Sequence, residues 1–349
     1  MDARKEKIFV GLSGGVDSAV SAALLLRAGA DVTGVFIKGW YPPGMPCTWA
    51  SDRRDAMRVA ARLRIPFRTL DASTEYKREV IDYMLKEYRS GRTPNPDSMC
   101  NKEVKFGAFY RYARVAGATS IATGHYARIE RGPSSVSLLR GVDQEKDQSY
   151  FLWAVPREVI AQAVFPLGGM RKKDVRALAR RFNIPVAEKK DSQGICFLGN
   201  ISVDEFLRAE CGEMPGYAFD EHGHRVGKHD GVLLYTLGER VALRDTSETG
   251  PWFVYAKDVK ENNLFVKKGH PLNPRADGGT TVFASANWFD EPSRATHAQY
   301  RYRSHPVRGH IENDRFVNET PLSDIPAPGQ SIVFYRDDEL IGGGIITSA

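Results

Sequence analysis

The sequence predicts an α/β chain: a first unit on a doubly wound parallel sheet, a small mixed or β central unit, and a C-terminal β-barrel. Three observations carry this. Apolar strand-like and helix-like segments alternate through the first 125 residues, the pattern of βαβ crossovers. From about residue 201 the texture changes to Gly/Asp/His-rich turns between short strands. From about residue 280 short strands repeat with turn signals between them, as in a small barrel or sandwich. The units are expected at residues 1–200, 201–270 and 271–349.

KIFVGL (7–12) is a short apolar strand running into SGG, and residues 17–29 form an Ala/Leu helix stopped by Gly29. DVTGVFIK (31–38) is a β-branched second strand. A proline-bearing loop leads to a helix over 52–65, with Ala56, Val59, Ala60 and Leu63 on one face. PFRTLDA (66–72) is a third strand, and a long helix over 74–91 has Thr74 as its expected N-cap. After the turn-rich TPNPDSMCN (93–101) come a helix and the strand TSIATGH (119–125). Ligands of such a sheet bind beyond the carboxyl ends of its strands. Further on, GVLLYTLG and PWFVYAK read as strands of the central unit. TVFASANW, THAQYRYRS, RGHIEND, SIVFYRDD and ELIGGGII read as strands of the barrel.

Hydrophobic residues make up 42% and charged residues 26%, the mix of a globular protein rather than a disordered one. No apolar run approaches the roughly 18 residues a membrane span needs. The start, MDARKEKIFVGLSGG, passes from a charged tip into a strand without a signal-peptide core. A cytoplasmic protein with no membrane partner is expected. Four cysteines, with no C-x-x-C pair, argue against a disulfide scaffold and a structural zinc site, and no metal-ligand cluster is expected. The net charge of +6 is unevenly spread. Residues 1–200 carry 33 Lys/Arg against 21 Asp/Glu, a net of +12, and each later unit nets −3. A polyanionic partner would meet the first unit.

Ser13-Gly14-Gly15-Val16-Asp17-Ser18 lies between the first strand and the first helix. The two glycines let backbone N–H groups approach an anion, and the helix aims its positive end at the same spot. A polyphosphate is the natural guest. The Walker lysine and the G-x-G-x-x-G spacing are both missing. The alternative is a plain turn with Asp17 as a helix cap. SGGVDS after an N-terminal strand resembles the PP-loop of the ATP pyrophosphatases, which cleave ATP to AMP and pyrophosphate while adenylating a carbonyl oxygen.

Two cysteines have unusual settings. Cys100, in TPNPDSMCNKEVKFG, is expected at the mouth of a helix starting near Asn101, where the helix dipole favours the nucleophilic thiolate. Asp97, three residues earlier, is within reach to move a proton. Cys196, in EKKDSQGICFLG, follows Lys189 and Lys190, cations that favour a thiolate and an anionic partner. The alternative for each is an inert core thiol. Cys47 and Cys211 have no comparable setting.

Both segments resemble the tRNA-specific 2-thiouridylase family. Its signatures stand here as GLSGGVDS (11–18), GRTPNPDSMCNKEVKFGAF (91–109), ATGHYARI (122–129), LLRGVDQEKDQSYFL (138–152), AEKKDSQGICFLG (187–199) and GQSIVFY…LIGGGII. The resemblance implies a PP-loop ATP pyrophosphatase domain that thiolates C2 of the wobble uridine in tRNAs of lysine, glutamate and glutamine type. It implies that Gly11, Leu12, Ser13, Gly14, Gly15, Val16, Asp17 and Ser18 hold ATP, with magnesium, and that Ile37 and Gly124 line the nucleotide. Asn95, Pro96 and Asp97 would hold the target base, with Asp97 as acid/base. Cys100 would be the nucleophile and Cys196 the persulfide carrier: either the persulfide attacks C2 directly, or Cys100 attacks it to release hydrosulfide and leave a Cys100–Cys196 disulfide. His125, Lys146, Asp147, Gln148, Arg301, Tyr302 and Gln330 match tRNA-touching positions. Sulfur would come from a cysteine desulfurase or a sulfur-relay protein. Ile37 replaces the family's usual Met, and TLGERVALRDTSETGPWFV departs from its TIGQRKGLG-like stretch.

The segment 170–182 carries six basic residues (Arg171, Lys172, Lys173, Arg176, Arg180, Arg181) against Asp174, either a solvated face or an RNA-phosphate contact. Tyr300-Arg301-Tyr302-Arg303, read as a strand, puts the tyrosines on one face and the arginines on the other. Two rival functions stay open from the residues: a PP-loop enzyme acting on a small carbonyl substrate, and a non-catalytic RNA-binding descendant of the fold.

Overall fold

The computed structural model describes residues 5–44, 48–133, 135–190, 201–247, 249–269, 279–322 and 325–348. At its centre, strands β1 (Lys7–Gly11), β2 (Asp31–Lys38), β3 (Phe67–Asp71) and β4 (Ser120–Ala122) join a short strand at Ala163–Val164 in a five-stranded sheet. Every pairing is parallel, and β1 lies between β2 and β4. Both faces are covered. Ile8 and Val10 meet α1 (Val16–Arg27), α2 (Trp49–Leu63) and the helix Lys172–Arg181. Phe9 faces the other way, onto α3 (residues 73–89) and α4 (residues 96–115). Doubly buried strands read as continuous apolar runs, which is why β1 and β2 were legible. The chain leaves β1 to one side and reaches β4 on the other, so the loops after these two strands face a topological switch point.

Some local expectations shift. Residue 72, not Thr74, stands at the N-cap of α3, where the Asp71 carboxylate accepts from the Ser73 N–H at 3.0 Å. α4 begins at Pro96 rather than near Asn101: Asn95 Oδ1 accepts from the Ser98 N–H at 3.2 Å and proline sits at the first helical position, where its missing N–H costs nothing. Both long helices contain π-helical stretches, Lys77–Asp82 and Cys100–Ala108. GVLLYTLG is not a strand. Gly231, at φ +147°, leads into a 3-10 turn over Val232–Leu234.

The central unit is a five-stranded sheet with its own small core around Val254, Leu264 and Val266. The third unit is a closed barrel. Thr280–Trp288 pairs with Arg315–Asn318 on one side and with the last strand, Glu339–Ser348, on the other, which closes the ring. Phe283, Phe316, Ile332, Phe334 and Ile346 fill it. The hairpin Ala127–Arg131/Val136–Arg140 pairs onto Glu339 and Leu340 of that last strand, so the first unit lends two strands to the barrel's sheet. Residues 300–303 leave the barrel as a turn, with Arg303 at φ +63°. The expected two-faced Tyr-Arg strand is therefore absent. No helix among the described residues is long and apolar enough to cross a membrane.

Candidate functional site

The loop after β1 is pre-shaped by its own side chains. Ser18 Oγ accepts from the Ser13 N–H at 3.2 Å and donates to the Gly15 carbonyl at 3.2 Å, and Ser13 Oγ accepts from the Gly15 N–H at 3.3 Å. No side chain caps α1 at Gly15, so the positive helix end stays open to a ligand. Gly14 has φ +79°, and a Cβ there would lie 2.4 Å from the Asp52 carbonyl oxygen at the start of α2. Gly124, just after β4, touches the same turn: its Cβ would lie 2.8 Å from Ser18 N and 3.0 Å from Asp17 C. Leu12 and Val16 turn their side chains into the core, leaving backbone to face the cleft. Ile37 is buried, and a Cβ on Gly11 would stand 3.8 Å from its Cδ1. The eight loop residues, Ile37 and Gly124 thus gather at one end of the sheet.

Asp17 does not cap the helix. Lys172 Nζ lies 2.8 and 2.7 Å from its two carboxylate oxygens, and the Tyr126 hydroxyl donates to Oδ1 at 2.9 Å. Lys172 is 12% exposed. Its backbone N–H donates to Asp143 at 2.8 Å. A second lysine, Lys189, reaches Asp52 Oδ1 at 2.8 Å and Asp55 Oδ2 at 2.9 Å, on the helix that brushes Gly14. Neither ion cluster was visible in the sequence, because their partners lie 155, 137 and 134 residues apart. The only signal was composition: lysines opening a basic helix and preceding a cysteine.

Asp97 and Cys100 stand three residues apart on the first turns of α4, one face of one helix. Cys100 is fully buried, and Asp97 is half-buried. The thiol expected at a helix mouth therefore lies one turn inside a capped helix. Beside it, the buried Ser98 Oγ and Asn101 Oδ1 have no hydrogen-bond partner within the described residues, while Asn101 Nδ2 donates to the Phe151 carbonyl at 3.1 Å. Asn95 also sits beside the buried Tyr150 hydroxyl. Cys196 and Cys47 lie outside the described residues, as does any pairing of Cys196. The stem before it is fixed: Arg176 donates to the carbonyls of Ala187 and Lys189, both at 3.1 Å.

The residues matched to RNA contacts fall into two groups. Asp147 is buried, and its oxygens accept from the N–H groups of Gly141 (2.9 Å) and Ser149 (3.1 Å), from Ser149 Oγ (2.9 Å) and from Arg140 (3.1 Å). Gln148 exchanges two bonds with the Tyr126 backbone. His125 Nδ1 meets Thr123 Oγ1 at 2.7 Å, with the ring between Phe106 and Phe165. Burial, helped by nearby Lys105, holds His125 well below the usual histidine range, so it is neutral. Gln330 Nε2 donates to the carbonyls of Thr93 at 2.9 Å and Pro94 at 3.2 Å. These four groups are spent inside the protein. Lys146, Arg301 and Tyr302 are half-exposed around the same region. Tyr302 packs 4.5 Å from Phe151, and Arg301 donates to the Leu237 carbonyl at 3.2 Å. Tyr300 is a core residue, its hydroxyl bonded to Asn318 at 2.7 Å. Of the six basic residues at 171–181, Lys172, Arg176 and Arg180 have partners, the last being Glu188 at 2.7 Å. Arg171, Lys173 and Arg181 are exposed.

A parallel sheet carrying this glycine-bent loop at its switch point is the HUP architecture in its PP-loop, ATP-pyrophosphatase form. Three family models match in series: "tRNA methyl transferase HUP domain" over residues 6–200, "tRNA methyl transferase PRC-barrel domain" over 204–268, and "Aminomethyltransferase beta-barrel domain" over 280–346. Proteins named tRNA-specific 2-thiouridylase MnmA are similar over nearly their whole length. That of Listeria monocytogenes is 41% identical, covering 97% of this chain and 94% of its own. That of Francisella tularensis subsp. novicida is 41% identical over 98% and 99%, and that of Geobacillus thermodenitrificans 40% over 97% and 94%. The chain belongs to the tRNA-specific 2-thiouridylase family. A solved 4-thiouridine synthetase–RNA complex with bound ATP matches 56% of this chain at 21% identity and a TM-score of 0.36, too slight a likeness to add to the assignment.

Proposed function

We infer that this chain uses ATP to replace the C2 oxygen of the wobble uridine with sulfur in tRNAs of lysine, glutamate and glutamine type. The observation that carries the reading is the near-full-length likeness to 2-thiouridylases, which runs through all three units. The site supports it. Open amides of α1 and the shaped Ser13–Ser18 loop suit the phosphates of ATP. The unpartnered Ser98 and Asn101 atoms beside Asp97 suit a nucleobase edge, since a buried polar atom left unpaired costs about 1–3 kcal/mol. Among the described residues no group of three or more His, Cys, Asp or Glu side chains could hold a metal ion. Magnesium, which commonly stays bound to phosphate oxygens and water, would travel with the nucleotide, with Asp17 the carboxylate nearest the loop.

In the reaction, the C2 oxygen attacks the α-phosphorus of ATP, pyrophosphate leaves, and C2 becomes an electrophile with AMP as leaving group. Backbone donors of the loop hold the phosphates as charge develops. A persulfide on Cys196 supplies sulfur by one of two balanced routes. Its terminal sulfur attacks C2 and expels AMP, after which the Cys100 thiolate attacks Cys196 Sγ, freeing the thiocarbonyl. Alternatively, Cys100 attacks Cys196 Sγ first, and the released hydrosulfide displaces AMP. Either route ends in a Cys100–Cys196 disulfide, which a dithiol must reduce. A cysteine desulfurase or relay protein reloads Cys196, and a cytoplasmic setting supplies tRNA and ATP. Burial of Cys100 fits this scheme if the base is flipped out of the anticodon stack and opens the site as it enters. The test is incubation with unmodified tRNA, ATP and a sulfide source, followed by a mercury-containing gel. A small-carbonyl enzyme would leave the tRNA unretarded and tolerate loss of both cysteines. A non-catalytic RNA-binding protein would bind tRNA without releasing pyrophosphate.

A further inference from the structure

The residue that leads into the candidate base-holding turn is held at every polar atom. Thr93 is 7% exposed. Its N–H donates to the Pro328 carbonyl at 2.9 Å, and its carbonyl accepts from Gln330 Nε2 at 2.9 Å. Its hydroxyl lies 3.4 Å from that of Thr236 in the central unit. The same Gln330 amide donates to Pro94 at 3.2 Å. Between the two bonding residues, Gly329 has φ +93°, and a Cβ on it would approach the Thr93 carbonyl oxygen to 2.9 Å. The latch is itself rigid: the Gly329 N–H donates to the Ile346 carbonyl at 2.8 Å, and the Ile346 N–H donates to the Gln330 carbonyl at 2.8 Å. One residue further, the Ser331 carbonyl accepts from the Tyr150 hydroxyl at 2.9 Å, and that tyrosine lies beside Asn95.

A side-chain amide has two N–H donors, and Gln330 spends both on two consecutive carbonyls of the catalytic unit. We propose that Gln330 is a positioning residue. From the barrel it fixes Thr93–Pro94, and so sets the Asn95 cap, Asp97 and Cys100 before any RNA arrives. The barrel thereby acts on the chemistry as well as on tRNA. The proposal rests on the reading that residues 95–97 and Cys100 serve thiolation, but the fixing itself needs no RNA to be seen.

The experiment uses the full chain without RNA. Cys100 is buried, so its alkylation by iodoacetamide, followed on the Cys100 peptide by mass spectrometry, reports local opening. Gln330→Ala, and the isosteric Gln330→Glu that cannot donate when ionised, are each expected to speed this reaction about tenfold or more. The thiolation kcat should fall while KM for tRNA changes less than about twofold. Unchanged alkylation with a rise in KM alone would overturn the proposal and leave Gln330 as an RNA contact only. If Gln330→Ala melts early, the alkylation rate of Gln330→Glu decides. An enzyme inactive on tRNA but with the alkylation effect intact would refute the thiolation reading and keep the latch.

Discussion

Replacing Gly124 with alanine tests whether the strand after the switch point shapes the nucleotide loop. Gly124 sits in a backbone conformation open to any residue, so the effect is steric alone. A Cβ there meets Ser18 N at 2.8 Å, Asp17 C at 3.0 Å and Asp17 Cβ at 3.1 Å. Ordinary contacts begin near 3.4 Å, so the first turn of α1 must move by about half an ångström, against the core behind it. Overpacking of this kind costs about 1–3 kcal/mol. Ser18 moves with the turn, and with it the bonds to Ser13 N and the Gly15 carbonyl. Loss of donor alignment worth the same energy slows the ATP-dependent step about 10- to 100-fold. The assay is tRNA-dependent pyrophosphate release, with tRNA affinity measured alongside by filter binding and melting temperature by calorimetry. Pyrophosphate release should fall while tRNA affinity stays within about twofold. Wild-type release from Gly124→Ala would refute the placement of the nucleotide against this turn.

Lys172→Met leaves the Asp17 carboxylate without its ammonium. It should raise KM for ATP about tenfold and lower stability by about 1–3 kcal/mol, less than a fully buried pair because Asp17 is 31% exposed; Asp17→Asn in the same chain should restore most of both, measured by kinetics and denaturant unfolding. Cys100→Ser should abolish thiolation, by more than about a thousandfold, while pyrophosphate release continues. His125 gives a pH signature. The unfolded histidine titrates near 6.5 and the folded one well below it, so the unfolded state binds the proton first. Stability is then untouched above about pH 7 and falls as pH drops below about 6.5, by at most about 1.4 kcal/mol per unit. His125→Gln should flatten that acid limb in melting curves from pH 5 to 8, and an unchanged limb would assign it to other groups such as His229.

What could be read in advance followed from local physics. Strands buried on both faces, a glycine-bent turn between strand and helix, and alternating short strands each announce themselves within ten residues. The start of α4 is also written in the sequence, as Asn95 followed by Pro96, but two prolines two positions apart, Pro94 and Pro96, equally suit a turn-rich loop. Capping outweighed them. The Tyr300–Arg303 alternation forms no strand: the strand ends at Gln299, and the chain then turns with Arg303 at positive φ, which period-two patterning cannot reveal. Burial of His125 and Asp147 depends on groups brought in by the fold. So does the Gln330 latch, which joins residues 237 positions apart. The chemistry-bearing residue types were legible; which of them are already bonded to one another was not.

The central claim is sulfur transfer to tRNA through two cysteines, and one assay addresses it directly. Unmodified lysine-type tRNA is incubated with ATP, a sulfur donor and either wild-type protein, Cys100→Ser or Cys196→Ser, then run on a mercury-containing gel and mapped by nuclease digestion. Retardation by the wild type at the wobble uridine, dependent on ATP and lost in both variants, is the predicted result. Sulfur at another nucleotide, or a retarded band that survives loss of both cysteines together, would contradict it.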